Sequence, residues 1–384
     1  MSASPARRTA FRVVRRVLEQ GAYADRALHG EAKGLEPRDR ALAKRLAFGA
    51  VQRRNTLDWV IGKHVDRELD PELRAALHLG IYQLLFTEVA DHAAISESVE
   101  LAKPNRGAGL VNGVLRSVQR DGVELPADDT VAGAAIRHSH PDWIVQMWWD
   151  WLGPEETRAL LAANNEPSEL ALRINTLVDA EVNIPGRREG DALVVEGPSD
   201  VLALDLYKRG AITPQSRASQ MVAPALKPQP GERILDLCAA PGGKTTHLAA
   251  LMRNQGQIVA VERSKQRAAA LVAMCDRMGA TNVKVVNADA ADPLRGKFDG
   301  ALVDPPCSGL GTLQSHPDLR WRASAAAIDG LVAEQQAILE NARSVASRYV
   351  YSICTLSPLE ELDLDGKRTF PHRDHTDGFY ISTG

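Results

Sequence analysis

The stretch that most constrains the fold is RILDLCAAPGGKTT, residues 233–246. It begins as a short apolar run of the kind that forms a buried parallel strand. The run breaks at Pro241-Gly242-Gly243, and helix-forming residues follow. Strand, glycine turn and helix in this order open a nucleotide-binding α/β unit. The glycines let the backbone approach a ligand closely, and the free N–H groups at the helix start favour a polar or anionic group.

The details of this turn exclude two common phosphate motifs. A P-loop needs glycine at the position that Cys238 occupies, and the dinucleotide pattern G-x-G-x-x-G is missing. The next predicted strand, QIVAVE, ends in Glu262, where an acid can bind ribose hydroxyls. The pattern favours an adenosine without a phosphate chain. The alternative is an ordinary glycine-rich turn beside a solvated glutamate.

Length and cysteine content limit the class of protein. At 384 residues the chain is expected to form two or three domains. No apolar run approaches a membrane span, and the arginine-rich start lacks the apolar stretch of a signal peptide. We therefore expect a cytoplasmic protein that does not bind a membrane. The four cysteines lack metal-ligand spacing, so we expect neither a metal site nor a disulfide framework.

Charge is distributed unevenly along the chain. Residues 1–122 hold 20 Lys or Arg and 15 Asp or Glu, whereas the remainder holds 26 and 34. The first helix presents an apolar face with five arginines around it: Arg7, Arg8, Arg12, Arg15 and Arg16. A basic N-terminal region followed by an acidic remainder indicates that the N-terminal region contacts a polyanion. The alternative is a solvated helical surface.

From Thr213 the sequence alternates strands with helices. Apolar runs predict strands at 234–237, 258–262, 283–287, 300–304 and 349–353, with helices such as 265–278 and 325–345 between them. Such alternation predicts a mostly parallel sheet with helices on both faces, and ligands bind at the carboxyl ends of its strands. Polar or reactive groups fall at these ends: 238–244, Glu262, Asp289, Asp304 and Cys354.

Two thiols are expected to meet at that rim. Cys307 lies in DPPCSG (304–309) after one strand, and Cys354 follows the next. Two cysteines in such positions favour chemistry over a place in the core. A thiolate that adds to C6 of cytosine makes C5 nucleophilic enough to take a methyl group. A carboxyl near the ring promotes the addition, and a base then removes the C5 proton so that the thiol can leave.

Three parts of the chain resemble parts of one family. Residues 72–86, 92–103 and 109–116 resemble the NusB-type RNA-binding domain, and LRINTL (172–177) resembles the entry to the small α/β subdomain of RNA cytosine methyltransferases. Residues 213–384 resemble the Fmu/RsmB family of 16S rRNA cytosine-5 methyltransferases. Ile353, Thr355 and Glu361 depart from the family's usual residues, and the stretch 361–377 is short. None of these departures removes a reacting group.

The resemblance implies S-adenosyl-L-methionine as cofactor and a role for each motif residue. It implies cofactor contacts from Cys238, Ala239, Ala240, Pro241, Gly242, Gly243, Lys244, Glu262, Asp289 and Asp304. It also implies that Cys354 attacks, that Cys307 assists product release and that Asp304 is the catalytic carboxyl. In DNA cytosine methyltransferases the thiol of the Pro-Cys motif is instead the nucleophile, so the two roles need separate tests.

The predicted protein has three parts. These are an all-α NusB-like domain at 1–125, a small α/β connector at 126–212, and a Rossmann-like S-adenosylmethionine-dependent methyltransferase domain at 213–384. The expected partner is 16S rRNA, free or in early assembly particles, and the protein is expected to be a monomer. A tRNA cytosine-5 methyltransferase would share every catalytic residue. The non-enzyme alternative is an RNA-binding assembly factor with a degenerate methyltransferase fold.

Overall fold

The computed structural model describes residues 3–103, 105–197 and 200–384. The chain forms two compact units. The first comprises Met1–Glu166 and Leu313–Arg322, and the second comprises Pro167–Thr312 and Ala323–Gly384. The predicted boundaries after 125 and 212 do not coincide with the boundary after 166, since the predicted connector 126–212 contributes residues to both units; the three-part division stays a prediction. No helix within the described ranges has the length and apolar character that crossing a membrane requires.

The first unit is helical, as predicted for the front of the chain. Its helices are α1 (Pro5–Gln20), α2 (Ala24–Glu31), α3 (Pro37–Gln52), α4 (Arg54–Gly62), α5 (Pro71–Phe86), α6 (Asp91–Ala102), α7 (Ala108–Asp121), α8 (Val131–His138), α9 (Asp142–Leu152) and α10 (Pro154–Ala163). Proline begins four of them because its missing N–H has no partner in the first turn anyway. Leu77, Leu79 and Ile81 of α5 are fully buried, so this helix forms the centre of the bundle.

A later segment of the chain belongs to the same unit. Leu313–Arg322 contains the short helix Leu319–Arg322, and Arg320 in it is fully buried. The Arg320 guanidinium donates to the carbonyl of Ser139 at 3.0 Å and to Oδ1 of Asn165 at 3.1 Å. Asp318 accepts the N–H of Ala24 at 3.3 Å. These bonds fix the segment within the helical unit.

The second unit begins with a small antiparallel sheet. Its strands are β1 (Ala171–Ile174), β2 (Gly186–Glu189), β3 (Ala192–Val195) and β4 (Ile212–Pro214), in the order β2-β3-β1-β4. The short helix α11 (Asp205–Lys208) precedes β4. Leu172, Leu193 and Ile212 form the centre of a small core beneath the sheet. Of the segment 172–177, which resembles the entry to the small α/β subdomain, residues 172–174 lie in β1 and the rest follows the strand.

The larger sheet carries the motifs singled out in the sequence. Its strands are β5 (Arg233–Leu237), β6 (Gln257–Val261), β7 (Val283–Val286), β8 (Gly300–Val303), β9 (Tyr349–Ile353), β10 (Gly366–Thr369) and β11 (Phe379–Thr383), in the order β10-β11-β9-β8-β5-β6-β7. The accompanying helices are α12 (Arg217–Ala225), α13 (Gly243–Leu251), α14 (Lys265–Met278), α16 (Ala325–Val345) and α17 (Pro371–Asp374), while α15 (Leu319–Arg322) lies in the helical unit. Strands β5 to β9 pair in parallel, which confirms the predicted Rossmann-like class.

One strand of this sheet was not predicted. The short stretch 361–377 contains β10, which pairs antiparallel with the closing strand β11. Its sequence GKRT is polar and lies at the edge of the sheet, so it has none of the apolar alternation by which strands are predicted. The parallel strands β5, β6, β8 and β9 were predictable because they are largely buried, and edge strand β7 (VKVV) because of its β-branched residues.

Candidate active site

The glycine turn after β5 has the backbone shape of a ligand cradle. Cys238 and Gly242 have positive φ values of 62° and 108°. A Cβ at Gly242 would lie 2.7 Å from Cδ1 of Leu271, so only glycine fits there. At Gly243, where α13 begins, a Cβ would meet nothing nearer than 3.8 Å. The protein therefore leaves the space beside Gly243 free, and ligand binding there stays a prediction.

A buried acid supports this turn from below. Asp236 of β5 is fully buried, and its Oδ2 accepts from the Thr245 hydroxyl at 2.6 Å. Its Oδ1 has no partner among the described residues. Burial raises the pKa of Asp236 to about 7. Sequence reasoning missed this residue because it stands in an otherwise apolar strand, although an acid in such a run is itself a signal.

Acidic residues follow the next two strands. Glu262, directly after β6, is 2% exposed and accepts the N–H of Ser264 at 2.9 Å. Its second oxygen lies 3.6 Å from Nε of Arg267, longer than a normal hydrogen bond. Asp289, beyond β7, accepts the N–H of Ala291 at 2.9 Å. Carboxylates at these strand ends can accept hydrogen bonds from ribose hydroxyls and from the adenine amino group. These acceptors therefore fit an adenosine.

Other groups of the motif are engaged within the protein. The N–H of Ala239 donates to the carbonyl of Val261 at 3.0 Å, and Arg267 donates to the carbonyl of Ala240 at 2.6 Å. Burial raises the pKa of Cys238 to about 12, so this thiol stays neutral. The hydrogen bonds of Ala239 and Ala240 to Val261 and Arg267 hold the turn in shape.

An ion pair connects the turn to the end of β8. Nζ of Lys244 donates to Oδ2 of Asp304 at 2.7 Å, and the hydroxyl of Ser352 donates to Oδ1 at 2.9 Å. Burial lowers the pKa of Lys244, but the Asp304 carboxylate outweighs it and the pKa ends above its usual value. Lys244 therefore remains an ammonium, and both carboxylate oxygens of Asp304 are bonded. The sequence predicted a role for both residues but not their pairing.

The two thiols meet at the adjacent strand ends. Sγ of Cys307 lies 3.4 Å from Sγ of Cys354. The hydrogen bond to Cys354, together with burial, holds the pKa of the Cys307 thiol well above its usual range. Cys307 therefore keeps its proton at neutral pH, and either sulfur can be the donor in this contact. Cys354 is also among the groups that raise the pKa of Lys244.

A buried carboxylate joins the loops that carry the two thiols. Glu360 is fully buried; its Oε2 accepts the N–H of Ser308 at 2.8 Å, and its Oε1 accepts the Thr355 hydroxyl at 2.9 Å. Gln335 donates to the same carboxylate at 3.2 Å and to the carbonyl of Pro306 at 2.9 Å. The hydroxyls of Ser308 and Thr355 are 2.7 Å apart. Ser308 directly follows Cys307, and Thr355 directly follows Cys354. No role was predicted from the sequence for Ser308, Thr355, Gln335 or Glu360.

Family models match three parts of the chain. Residues 223–364 match the model described as 16S rRNA methyltransferase RsmB/F, and residues 4–120 match the NusB family. Residues 140–181 match a ferredoxin-like domain of RsmF/B-like methyltransferases. These matches agree with the resemblances seen in the sequence.

Whole-chain similarity extends the match. The probable ribosomal RNA small subunit methyltransferase B of Synechocystis is 37% identical over 92% of this chain and 86% of its own. Ribosomal RNA small subunit methyltransferase B of Escherichia coli K12 is 32% identical over 98% of this chain and 97% of its own. The crystal structure of PH0851 superposes with a TM-score of 0.82 over 100% of this chain and 99% of that one, at 25% identity. The chain therefore belongs to the RsmB/F family of 16S rRNA methyltransferases.

Proposed function

We propose that this protein methylates C5 of a cytosine in 16S rRNA, with S-adenosyl-L-methionine as methyl donor and a covalent bond between Cys354 and C6 of the base. The observation that carries the proposal is the pair of thiols 3.4 Å apart, next to the ion pair of Lys244 with Asp304. The names of the relatives support small-subunit rRNA as the substrate.

The cofactor would lie on the glycine turn. Gly243 leaves room for the backbone to approach it, Glu262 would accept from the ribose hydroxyls, and Asp289 would face the adenine side. When bound, the cofactor supplies an electrophilic methyl group. The structure favours this cofactor over a nucleotide with a phosphate chain, because acidic groups follow β6 and β7.

In the first step the Cys354 thiolate adds to C6, and the electrons of the C5–C6 double bond become available at C5. Part of the negative charge is delocalised to N3 and O2 of the ring. The ammonium of Lys244, which its ion pair keeps protonated, supplies positive charge for this step. Asp304, held by Lys244 and Ser352, would accept from the N4 amino group and orient the ring.

In the last step Cys307 removes the C5 proton, the double bond re-forms and Cys354 leaves. The resting Cys307 thiol is a poor base because its hydrogen bond with Cys354 and its burial keep it protonated. Once that sulfur is bonded to C6, it no longer carries the negative charge that raises the Cys307 pKa. Cys307 can then pass its proton to solvent, and the resulting thiolate accepts the C5 proton as the bond between Cys354 and C6 breaks.

Methyl transfer to defined RNAs tests the proposal. Unmodified 16S rRNA transcript, assembled small subunits and total tRNA would each be incubated with labelled S-adenosylmethionine, and bisulfite sequencing would locate the product. Methylation of the free transcript at C5 of one cytosine is the expected result. Labelling of tRNA alone would favour the tRNA alternative, and no labelling of any substrate would favour the assembly factor. We further propose a cytoplasmic monomer.

A further inference from the structure

The net positive charge of the front of the chain is confined to one stretch. Residues 33–54 hold seven Lys or Arg and two Asp or Glu, a net charge of +5. The rest of residues 1–122 holds 13 basic and 13 acidic side chains and is neutral. The stretch includes α3 and the loop before it. A polyanion attracted to this front would therefore be drawn to α3 and not to α1.

The arginines of α1 are neutralised within the protein. Arg7 is 7% exposed and donates to Glu97 at 2.9 Å and to Gln83 at 2.6 Å. The others of this set are engaged as follows: Arg12 and Arg16 pair with Glu31, Arg15 pairs with Glu19 and Glu72, and Arg8 donates to the carbonyl of Ala3. The expectation that these five contact a polyanion is therefore not favoured, because carboxylates already occupy most of them.

The basic residues of α3 are in the opposite situation. We define the α3 basic face as Lys33 of the preceding loop together with Arg38, Arg40, Lys44 and Arg45 of α3. All five side chains are exposed. Within 3–103, 105–197 and 200–384, none of these five forms an ion pair. In an α-helix Arg38 and Arg45 lie in one stripe, and Arg40 and Lys44 lie in another. Ala41 and Phe48 lie between the two stripes, which leaves a strip free of acidic side chains.

The packing of α3 against α5 holds this face rigid. A Cβ at Gly49 would lie 2.0 Å from Cζ of Tyr82, so glycine lets the two helices approach closely. Tyr82 stacks on Phe86 with 5.8 Å between ring centroids, and the Arg53 guanidinium lies 4.6 Å from the Phe86 centroid. Burial raises the pKa of Tyr82, and the positive charges of Arg45 and Arg53 partly offset it. The guanidinium groups of Arg45 and Arg53 therefore lie beside the aromatic pair of Tyr82 and Phe86.

We propose that the α3 basic face is the surface on which the helical unit binds the phosphates of the substrate RNA. The inference rests on the proposed function for the choice of RNA as the polyanion. Exposed guanidinium and ammonium groups without carboxylate partners can each replace a condensed counterion on the RNA backbone. Four of the five α1 arginines would have to break an internal ion pair to do the same, and Arg8 is bonded to the Ala3 carbonyl.

Salt dependence of RNA binding separates the two helices. The α3 variant would carry Arg38→Gln, Arg40→Gln, Lys44→Gln and Arg45→Gln. The matched control, Arg8→Gln, Arg12→Gln, Arg15→Gln and Arg16→Gln, removes the same charge from α1. Filter binding of unmodified 16S rRNA transcript would be measured from about 50 to about 300 mM KCl. If each lost contact lowers the slope of log K against log salt by roughly 0.7 to 0.9, the α3 variant loses about 3.

The α1 control is expected to keep nearly the wild-type slope. Equal slopes for the two variants would mean that only total charge matters, and a flatter slope for α1 alone would reverse the assignment; either result overturns the inference. Single Lys44→Gln, expected to lower the slope by just under one unit, serves if the fourfold variant fails to fold. If wild-type protein shows no methyl transfer to 16S rRNA while the α3 variant still flattens the slope, the proposed function fails and this surface stands.

Discussion

Substitution of Glu360 by glutamine tests whether the buried network positions the two thiols. The carboxylate accepts three bonds, from the N–H of Ser308, the Thr355 hydroxyl and the Gln335 amide. A glutamine of the same shape is neutral and has one acceptor oxygen, so its N–H group faces either the Ser308 and Gln335 donors or the Thr355 hydroxyl, which must then turn round and accept. Losing bonds to a buried charged acceptor, or leaving a buried donor unsatisfied, costs about 1 to 3 kcal/mol, so the loops are expected to shift.

The kinetic consequence is expected in kcat. A displacement of about 1 Å between reacting groups can cost roughly 100-fold in rate, and Ser308 and Thr355 each adjoin a thiol. We expect kcat for methyl transfer to fall by about that factor. Affinity for S-adenosylmethionine, measured by calorimetry, should be unchanged because the glycine turn and Glu262 are not part of the network.

The neighbouring residue provides a matched control. Glu361 pairs with Arg368 and accepts no bond from either cysteine loop, so Glu361→Gln should retain wild-type kcat. If Glu360→Gln also retained wild-type kcat, the network would be a packing feature and the reasoning would be refuted. A parallel loss of cofactor affinity would show that the damage spreads beyond the two loops.

Two further predictions concern the cofactor turn. Glu262→Ala should weaken S-adenosylmethionine binding by about 1 to 3 kcal/mol in calorimetry, and unchanged affinity would remove Glu262 from the site. Asp236→Asn should change how stability depends on pH. The folded pKa of Asp236 is raised to about 7, so the stability it contributes is full below its unfolded pKa and is lost as pH rises to 7. Thermal unfolding from pH 4 to 7 should show wild type losing roughly 1.4 kcal/mol per pH unit relative to Asp236→Asn, and parallel curves would contradict this.

The sequence predicted those parts of the fold that follow from a regular pattern of apolar residues. Buried parallel strands have apolar runs, and the two cysteines lie at adjacent strand ends because β8 and β9 are neighbours in the sheet. The bonds of Glu360 and Asp236 were not predictable in this way, because each depends on side chains brought together from distant parts of the chain. The arginines of α1 show the same limit: their spacing indicated a basic surface, but the acids that neutralise them, such as Glu72 and Glu97, come from other helices.

The central claim, that Cys354 attacks and Cys307 completes release, is tested most directly by trapping the covalent intermediate. Each variant, Cys307→Ala and Cys354→Ala, would be incubated with unmodified 16S rRNA transcript and S-adenosylmethionine, then boiled and run on a denaturing gel. Cys307→Ala should stall as a slow-migrating adduct on methylated RNA, whereas Cys354→Ala and the double variant should form none. An adduct in Cys354→Ala but not in Cys307→Ala would reverse the two roles, and full activity in both variants would contradict the covalent mechanism.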